Sequence, residues 1–497
     1  MKQKSEIRKR RLWLAAAALS LAAATSPAAT ADKPYQPAWE SLTNHADPQW
    51  FDDAKFGIYF HWSAFSVPAF GNEWYSRNMY VSGSPENKHH LAAYGALDKF
   101  GYKDFIPSFK AERFDPEAWA ELFERSGARF AGPVAEHADG FALWDSRLTK
   151  WNVARMGPKR DVVGELAAAI RRHHLKFITT FHHQWLWGWY PTWDPATDCA
   201  NPAYSGLYGP KVPPTAWKND PLPDQAFCEL WLGKVKEVID KYEPDLIWFD
   251  GRMNIIQESY RREMLAYYYN QARQWGREVA VTYKDKDLAP GAGILDLERG
   301  RMAKITPFKW LNDDSIDWNS WCYVRDADIK SAAWLVRELA DIVSKNGNLL
   351  LNICPRPDGT IPEPIRESLL GLGEWLAVNG EAIYGTRPWE VYGEGPLRIA
   401  EGSFGERKDQ VATAADVRFT KKGDALYAIC LAVPAGEARI KTLGTSAGHA
   451  SNPVARVQLL GSGEPLKWSQ AADALVIQRP QGVPNPHALA FKIEFAR

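Results

Sequence analysis

Short apolar runs alternate with longer segments of helical period over the first three quarters of the chain. The runs Phe56 to Phe60, Arg129 to Val134, Lys176 to Phe181, Leu246 to Phe249, Val279 to Thr282, Gly293 to Leu297 and Asn348 to Ile353 are too short and too continuously apolar for surface helices, and read as buried strands. Helices are expected between them. Pro116 stands in the first helical position behind Asp115, and further helical patterns run from Val162 to His173, Leu230 to Lys241, Tyr260 to Trp275, Ile329 to Ser344 and Ile365 to Val378. A repeated strand-then-helix order implies a parallel sheet of the α/β class. At least seven such strands over about 350 residues fit a closed (β/α)8-like barrel better than an open sheet.

The pattern changes after about Pro388. Leu397 to Ala400, Val417 to Phe419, Ala425 to Leu431, Arg439 to Leu443, Ala455 to Leu460, Ala474 to Ile477 and Ala488 to Phe495 are short and separated by Gly, Pro, Asn and Asp, as in a small β-sandwich. The expected organisation is a signal peptide over residues 1–31, a barrel over 32–390 and a C-terminal β-sandwich over 391–497.

The signal reading comes from the N-terminus, where basic residues from Lys2 to Arg11 precede an apolar stretch from Leu12 to Ala24, with Ala29-Thr30-Ala31 as a cleavage site. That stretch is shorter than the roughly 20 residues of a membrane span, so cleavage and export to the periplasm or the extracellular space are expected, with no membrane attachment afterwards. Lys+Arg and Asp+Glu both number 60, and no basic run follows the N-terminus, so a nucleic-acid partner is not expected. The five cysteines, Cys199, Cys228, Cys322, Cys354 and Cys430, are too few for a disulfide scaffold, although Cys199 and Cys228 bracket a proline-rich loop and are candidates to pair. Aromatic residues make up 13% of the chain, 23 of them Trp, which suits both core filling and the flat faces of sugars.

In a barrel, functional side chains lie beyond the C-terminal ends of the strands. Those ends carry His61-Trp62, Glu136-His137 with Asp139, His182-His183 with Trp185, Asp250-Gly251, and Asp296 with Glu298. Two carboxylates at different strand ends, set among aromatic platforms, are what glycoside hydrolysis requires. Asp250, short and followed by a glycine, is the better nucleophile. Asp296 or Glu298 is then the acid, and the longer reach of Glu favours Glu298. Arg299 and Arg301 argue against it, because a neighbouring guanidinium would lower the pKa of a group that must stay protonated; a salt-bridge role for Glu298 is the alternative. The histidines show no metal-ligand spacing, so neither a metal nor another cofactor is expected, and neutral imidazoles at His61, His137, His182 and His183 are assigned to sugar hydroxyls.

Several longer motifs carry a resemblance. Phe56-Gly57-Ile58-Tyr59-Phe60-His61-Trp62, Glu73-Trp74-Tyr75, Glu136-His137-Ala138-Asp139-Gly140-Phe141, Pro244-Asp245-Leu246-Ile247-Trp248-Phe249-Asp250-Gly251 and Gly347-Asn348-Leu349-Leu350-Leu351-Asn352-Ile353, in that order, resemble the secreted α-L-fucosidases of glycoside hydrolase family 29. The resemblance covers about residues 40 to 390. It implies a barrel followed by a β-sandwich, and retaining release of terminal α-L-fucose from a fucosylated oligosaccharide or glycoconjugate. It implies Asp250 as nucleophile, and His61, Trp74, His137 and Trp248, with Glu73 beside Trp74, as substrate-binding residues. Glu298 as acid/base rests on its strand-end position alone. Ala138 departs from the family's two adjacent histidines, and the Phe181-His182-His183 strand end departs from its commoner Tyr-rich version. A related sugar such as α-L-galactose, or glycan binding without turnover, is the alternative these departures suggest.

Overall fold

In the computed structural model, which describes residues 33–449 and 452–496, eight parallel strands close into a barrel. They are Phe56–Phe60 (β1), Phe130–Glu136 (β2), Lys176–Phe181 (β3), Leu246–Phe249 (β4), Ala280–Lys284 (β5), Ile294–Asp296 (β6), Trp310–Ser315 (β7) and Gly347–Ile353 (β8). Each pairs with the next, and β8 closes on β1 with Phe56 opposite Leu349 and Phe60 opposite Ile353. The expected signal peptide lies outside the described residues.

Side chains alternate along the strands and build two cores. Phe56, Ile58 and Phe60, Ile247 and Phe249, and Leu349, Leu351 and Ile353 face the helices outside the barrel. Tyr59, Ile178, Leu246, Trp248, Ile294, Leu311 and Leu350 fill its interior, with Phe51 and Ala54 packed among them. The helices fall where the periodicity places them, including Pro116–Arg125, whose first turn is capped by the Asp115 carboxylate accepting the amides of Glu117 and Ala118.

Strand β7 has no counterpart among the expected strands. Its sequence, Trp-Leu-Asn-Asp-Asp-Ser, is mostly polar, yet all six residues are buried. Most of their polar groups find partners inside the protein: Asn312 donates to the carbonyls of Leu297 and Gly300, Asp314 accepts from Lys330, and Ser315 donates to the carbonyl of Ser320.

Beyond the barrel, Arg387–Glu394 (β9), Val417–Lys422 (β10), Ala425–Cys430 (β11), Ala438–Ile440 (β12), Val454–Leu459 (β13), Trp468–Gln470 (β14), Leu475–Ile477 (β15) and Leu489–Phe495 (β16) form two antiparallel sheets, ordered β13-β16-β11-β10-β9 and β12-β15-β14. They enclose a core of Val417, Phe419, Ala428, Ile440, Leu475 and Phe491. Leu397 to Ala400 is not a strand; it begins an irregular segment between β9 and β10 that returns to the barrel. The described residues from Tyr35 onward form one compact unit. All five cysteines are free and buried, so Cys199 and Cys228 are not paired. No helix among the described residues is long and apolar enough to cross a membrane.

Candidate active site

The two-residue alternation that fills the barrel interior also determines what reaches its mouth. Tyr59 faces inward, and so does His61 two residues later; the same parity carries Trp248 to Asp250, Thr282 to Lys284, Asp296 to Glu298, and Leu311 to Asp313. These side chains line a cavity of about 1080 Å³. On β2 a register shift between Val134 and Glu136 reverses the parity, so that Glu136 turns outward and His137 lines the cavity.

Parity also separates His182 from His183. His182 lines the cavity, and its Nδ1 donates to Asp250 Oδ2 at 3.1 Å. His183 faces the other way, with Nδ1 2.5 Å from Glu136 Oε1, in a buried cluster with Lys234 of the helix Gln225–Tyr242. The assignment of His183 to sugar binding is therefore corrected. Burial would raise the Glu136 carboxyl, but His183 and Lys234 hold it down at about 2, so it stays ionised as a structural anion.

Lys284 is the centre of the site. Its ammonium lies 2.5 Å from Glu298 Oε2, 3.2 Å from Asp250 Oδ1, 3.5 Å from Asp313 Oδ2 and 3.9 Å from Asp296 Oδ2. One cation thus bridges the two candidate catalytic carboxyls. The oxygens of Asp250 and Glu298 that it touches can be no farther apart than those two contacts, 3.2 and 2.5 Å, laid end to end, which is shorter than the roughly 6.5–9.5 Å spacing of inverting glycosidases.

The two carboxyls sit in opposite electrostatic states. Burial disfavours ionised Asp250, but the charge of Lys284, followed by His182, outweighs it and holds the carboxyl well below its ordinary range. At Glu298 burial dominates; Lys284 opposes it, Asp313 and Asp250 reinforce it, and the acid rises to about 7. Asp296, the alternative acid, is also raised, by burial and by Asp313, but it accepts the Asp313 amide at the end of β6, two residues before Glu298. The guanidinium groups expected to oppose a protonated Glu298 are engaged elsewhere. Arg299 donates to the carbonyls of Trp318 and Asp317 and to Glu406, and Arg301 donates to Glu338 and Asn312.

The imidazoles form a wall facing the carboxyls. His61 Nδ1 is 2.8 Å from Asn352 Oδ1, which places its proton there and leaves Nε2 as an acceptor. Burial, and then the neighbouring imidazoles, lower the pKa of both His61 and His137, so both are neutral. His137 Nδ1, His182 Nε2 and Trp248 Nε1 are buried with no hydrogen-bond partner in the protein, and their residues line the cavity. One nitrogen from each of His61, His137 and His182 lies within 4.8 Å of the others, a donor set that would also suit a cation such as Zn2+. Ala138 is buried, and His182 supplies the second imidazole beside His137, with ring centroids 4.5 Å apart.

Glu73 and Trp74 reach the cavity from the segment after β1. Burial raises the Glu73 carboxyl to about 7, and its Oε2 accepts the Trp321 amide at 3.1 Å. Trp74 packs against Trp185 and Trp217, each with ring centroids 5.8 Å from it, to form an aromatic rim.

Lys284 and Asp313 are not among the candidate residues that the sequence points to. Val279 to Thr282 was an expected strand, so the charged Lys284 two residues past it is a strand-end signal of the kind used elsewhere; Asp313 was hidden in the polar strand β7.

A closed parallel barrel with two carboxyls bridged at its mouth, flanked by indoles and neutral imidazoles, has the parts that a barrel glycoside hydrolase requires. Residues 22–381 match the family model for α-L-fucosidase, and residues 408–494 match that for the α-L-fucosidase C-terminal domain. The chain is 32% identical to the tissue α-L-fucosidase of Macaca fascicularis, over 98% of this chain and 95% of that protein. It is 31% identical to the human tissue enzyme, over 93% and 90% respectively. The solved structure of Thermotoga maritima α-fucosidase in complex with fucose superposes with a TM-score of 0.72 at 30% identity, covering 92% of this chain and 99% of that one. This chain belongs to the α-L-fucosidase family, glycoside hydrolase family 29.

Proposed function

We propose that the protein releases terminal α-L-fucose from fucosylated glycans with retention of configuration, by double displacement. The observation that carries the reading is the Lys284-bridged pair, in which an ionised Asp250 faces a Glu298 that holds its proton to about pH 7. The Thermotoga structure bound to fucose supports the choice of sugar.

In the first step Asp250 attacks the anomeric carbon. The glycosidic C–O bond breaks with its electron pair on the leaving oxygen, and that oxygen takes the Glu298 proton. Esterification then removes the Asp250 charge, one of the influences that raise the Glu298 pKa, so Glu298 is better able to act as a base in the second step. It deprotonates a water that attacks the anomeric carbon, freeing fucose and restoring the Asp250 carboxylate. His61, His137 and His182 hold the hydroxyls, while Trp248 and the Glu73-Trp74 pair shape the sugar pocket.

The N-terminal sequence supports export with removal of residues 1–31, so that the enzyme would meet glycans outside the cytoplasm. Proton NMR of a freshly started reaction tests the mechanism: the α-anomer of fucose should appear first and then mutarotate. First appearance of the β-anomer would refute retention, and turnover of an α-L-galactoside in preference to the fucoside would refute the choice of sugar.

A further inference from the structure

Between β9 and β10 the chain leaves the C-terminal sheet and crosses back to the barrel mouth. The returning strap is fastened along the segment that carries Glu298. Gly402 and Arg301 exchange backbone hydrogen bonds at 2.9 and 3.2 Å, the Phe404 amide donates to the Glu298 carbonyl at 2.8 Å, and the Gly405 amide donates to the Arg299 carbonyl at 3.0 Å. Gly300 permits the close approach, since a Cβ there would lie 2.5 Å from the Gly402 carbonyl oxygen. The Glu406 carboxylate anchors the strap by accepting from Arg299 Nη1 at 2.7 Å and from the buried Lys330 Nζ at 2.5 Å.

Phe404 sits on this anchored strap and is one of the residues that line the catalytic cavity. Its backbone is left-handed, φ +58°, a conformation that a bulky L-residue adopts at a cost, and the residue is 68% exposed. Core packing therefore does not account for an aromatic residue at this position. The neighbourhood of Glu298 does. A general acid sits next to the glycosidic oxygen, and the group being expelled lies just beyond that oxygen.

Building on the fucosidase reading, we propose that Phe404 is the platform of the leaving-group subsite, on which the apolar C–H face of the saccharide bearing the fucose rests during protonation. The barrel binds the fucosyl residue, and the strap from the C-terminal region completes the site for its partner sugar.

The test compares the full-length enzyme with Phe404→Ala and Phe404→Trp on α-L-fucosyl fluoride, whose leaving group is a single atom, and on (1→2)-, (1→3)- and (1→6)-fucosyl disaccharides. For the best disaccharide, Phe404→Ala should lower kcat/KM relative to that for the fluoride about tenfold, chiefly through KM, and Phe404→Trp should restore the ratio. An unchanged ratio, a loss confined to kcat with a displaced alkaline limb of the pH profile, or hydrolysis of the fluoride with every disaccharide refused would overturn the proposal. Silence of the unmodified enzyme on the fluoride would instead strike the fucosidase reading beneath it.

Discussion

Lys284→Met removes the cation shared by four carboxyls while preserving most of the side chain's volume. At an effective dielectric of about 20, the 3.2 Å contact with Asp250 corresponds to about 5 kcal/mol of Coulomb attraction. If only a third survives once water and neighbouring groups rearrange, about 1.7 kcal/mol remains, which is more than one pH unit. The sign follows from the charge. Lys284 favours the ionised form of both Asp250 and Glu298, so its loss raises both. In the proposed mechanism Asp250 must be ionised to attack, and its acid limb, which lies well below the ordinary carboxylate range in the unmodified enzyme, should move upward by more than one pH unit. Glu298, the proposed acid, must be protonated to assist departure, and its alkaline limb should move upward from about 7. The whole kcat/KM profile for an aryl fucoside should therefore shift to higher pH, with Lys284→Arg lying between the variant and the unmodified enzyme. Circular dichroism would establish that the variant is folded. A folded Lys284→Met enzyme whose profile superimposes on that of the unmodified enzyme would refute the electrostatic reasoning.

In the unmodified enzyme, kcat/KM should fall as pH rises through about 7, and Glu298→Ala should abolish that limb. The same variant should lose about 10²- to 10⁴-fold on a fucosyl disaccharide and far less on a 2,4-dinitrophenyl fucoside, whose leaving group needs no proton. Glu136→Ala leaves Lys234 buried without its carboxylate partner; urea unfolding should show a loss of about 3–5 kcal/mol, much of it recovered when Lys234→Met is added. Gly300→Ala presses a methyl group against the Gly402 carbonyl, and should lower the melting temperature by an amount corresponding to about 1–3 kcal/mol.

How legible the site was in the sequence depended on the kind of residue. Strands such as β1 and β4, buried on both faces and without a charged or amide side chain, announce themselves, and the parity of their residues then locates His61 and Asp250. Strand β7 does not, because its buried Asn, Asp and Ser residues are satisfied by partners distant in the chain, such as Lys330 and Leu297, that no local pattern reveals. Arg299 does not oppose a protonated Glu298, for a related reason. Arg299 has φ +45° and sends its guanidinium to Asp317, Trp318 and Glu406, so adjacency in sequence did not become adjacency of charge. The adjacent pair His182-His183 misleads in the opposite way, since neighbours at a strand end face opposite sides. The strap carrying Phe404 was invisible because it lies in a polar, glycine-containing segment whose role comes from docking onto the barrel rather than from its own periodicity.

The proposed double displacement requires Asp250 to become covalently bonded to the sugar. Incubation with 2-deoxy-2-fluoro-α-L-fucosyl fluoride, which slows the second step more than the first, followed by proteolysis and mass spectrometry, tests this directly. A single adduct of one fluorofucosyl unit on Asp250 is the predicted result. A label on Glu298, Asp296 or Glu73, or full turnover of fucosides by an enzyme whose Asp250 has been replaced by alanine, would contradict it.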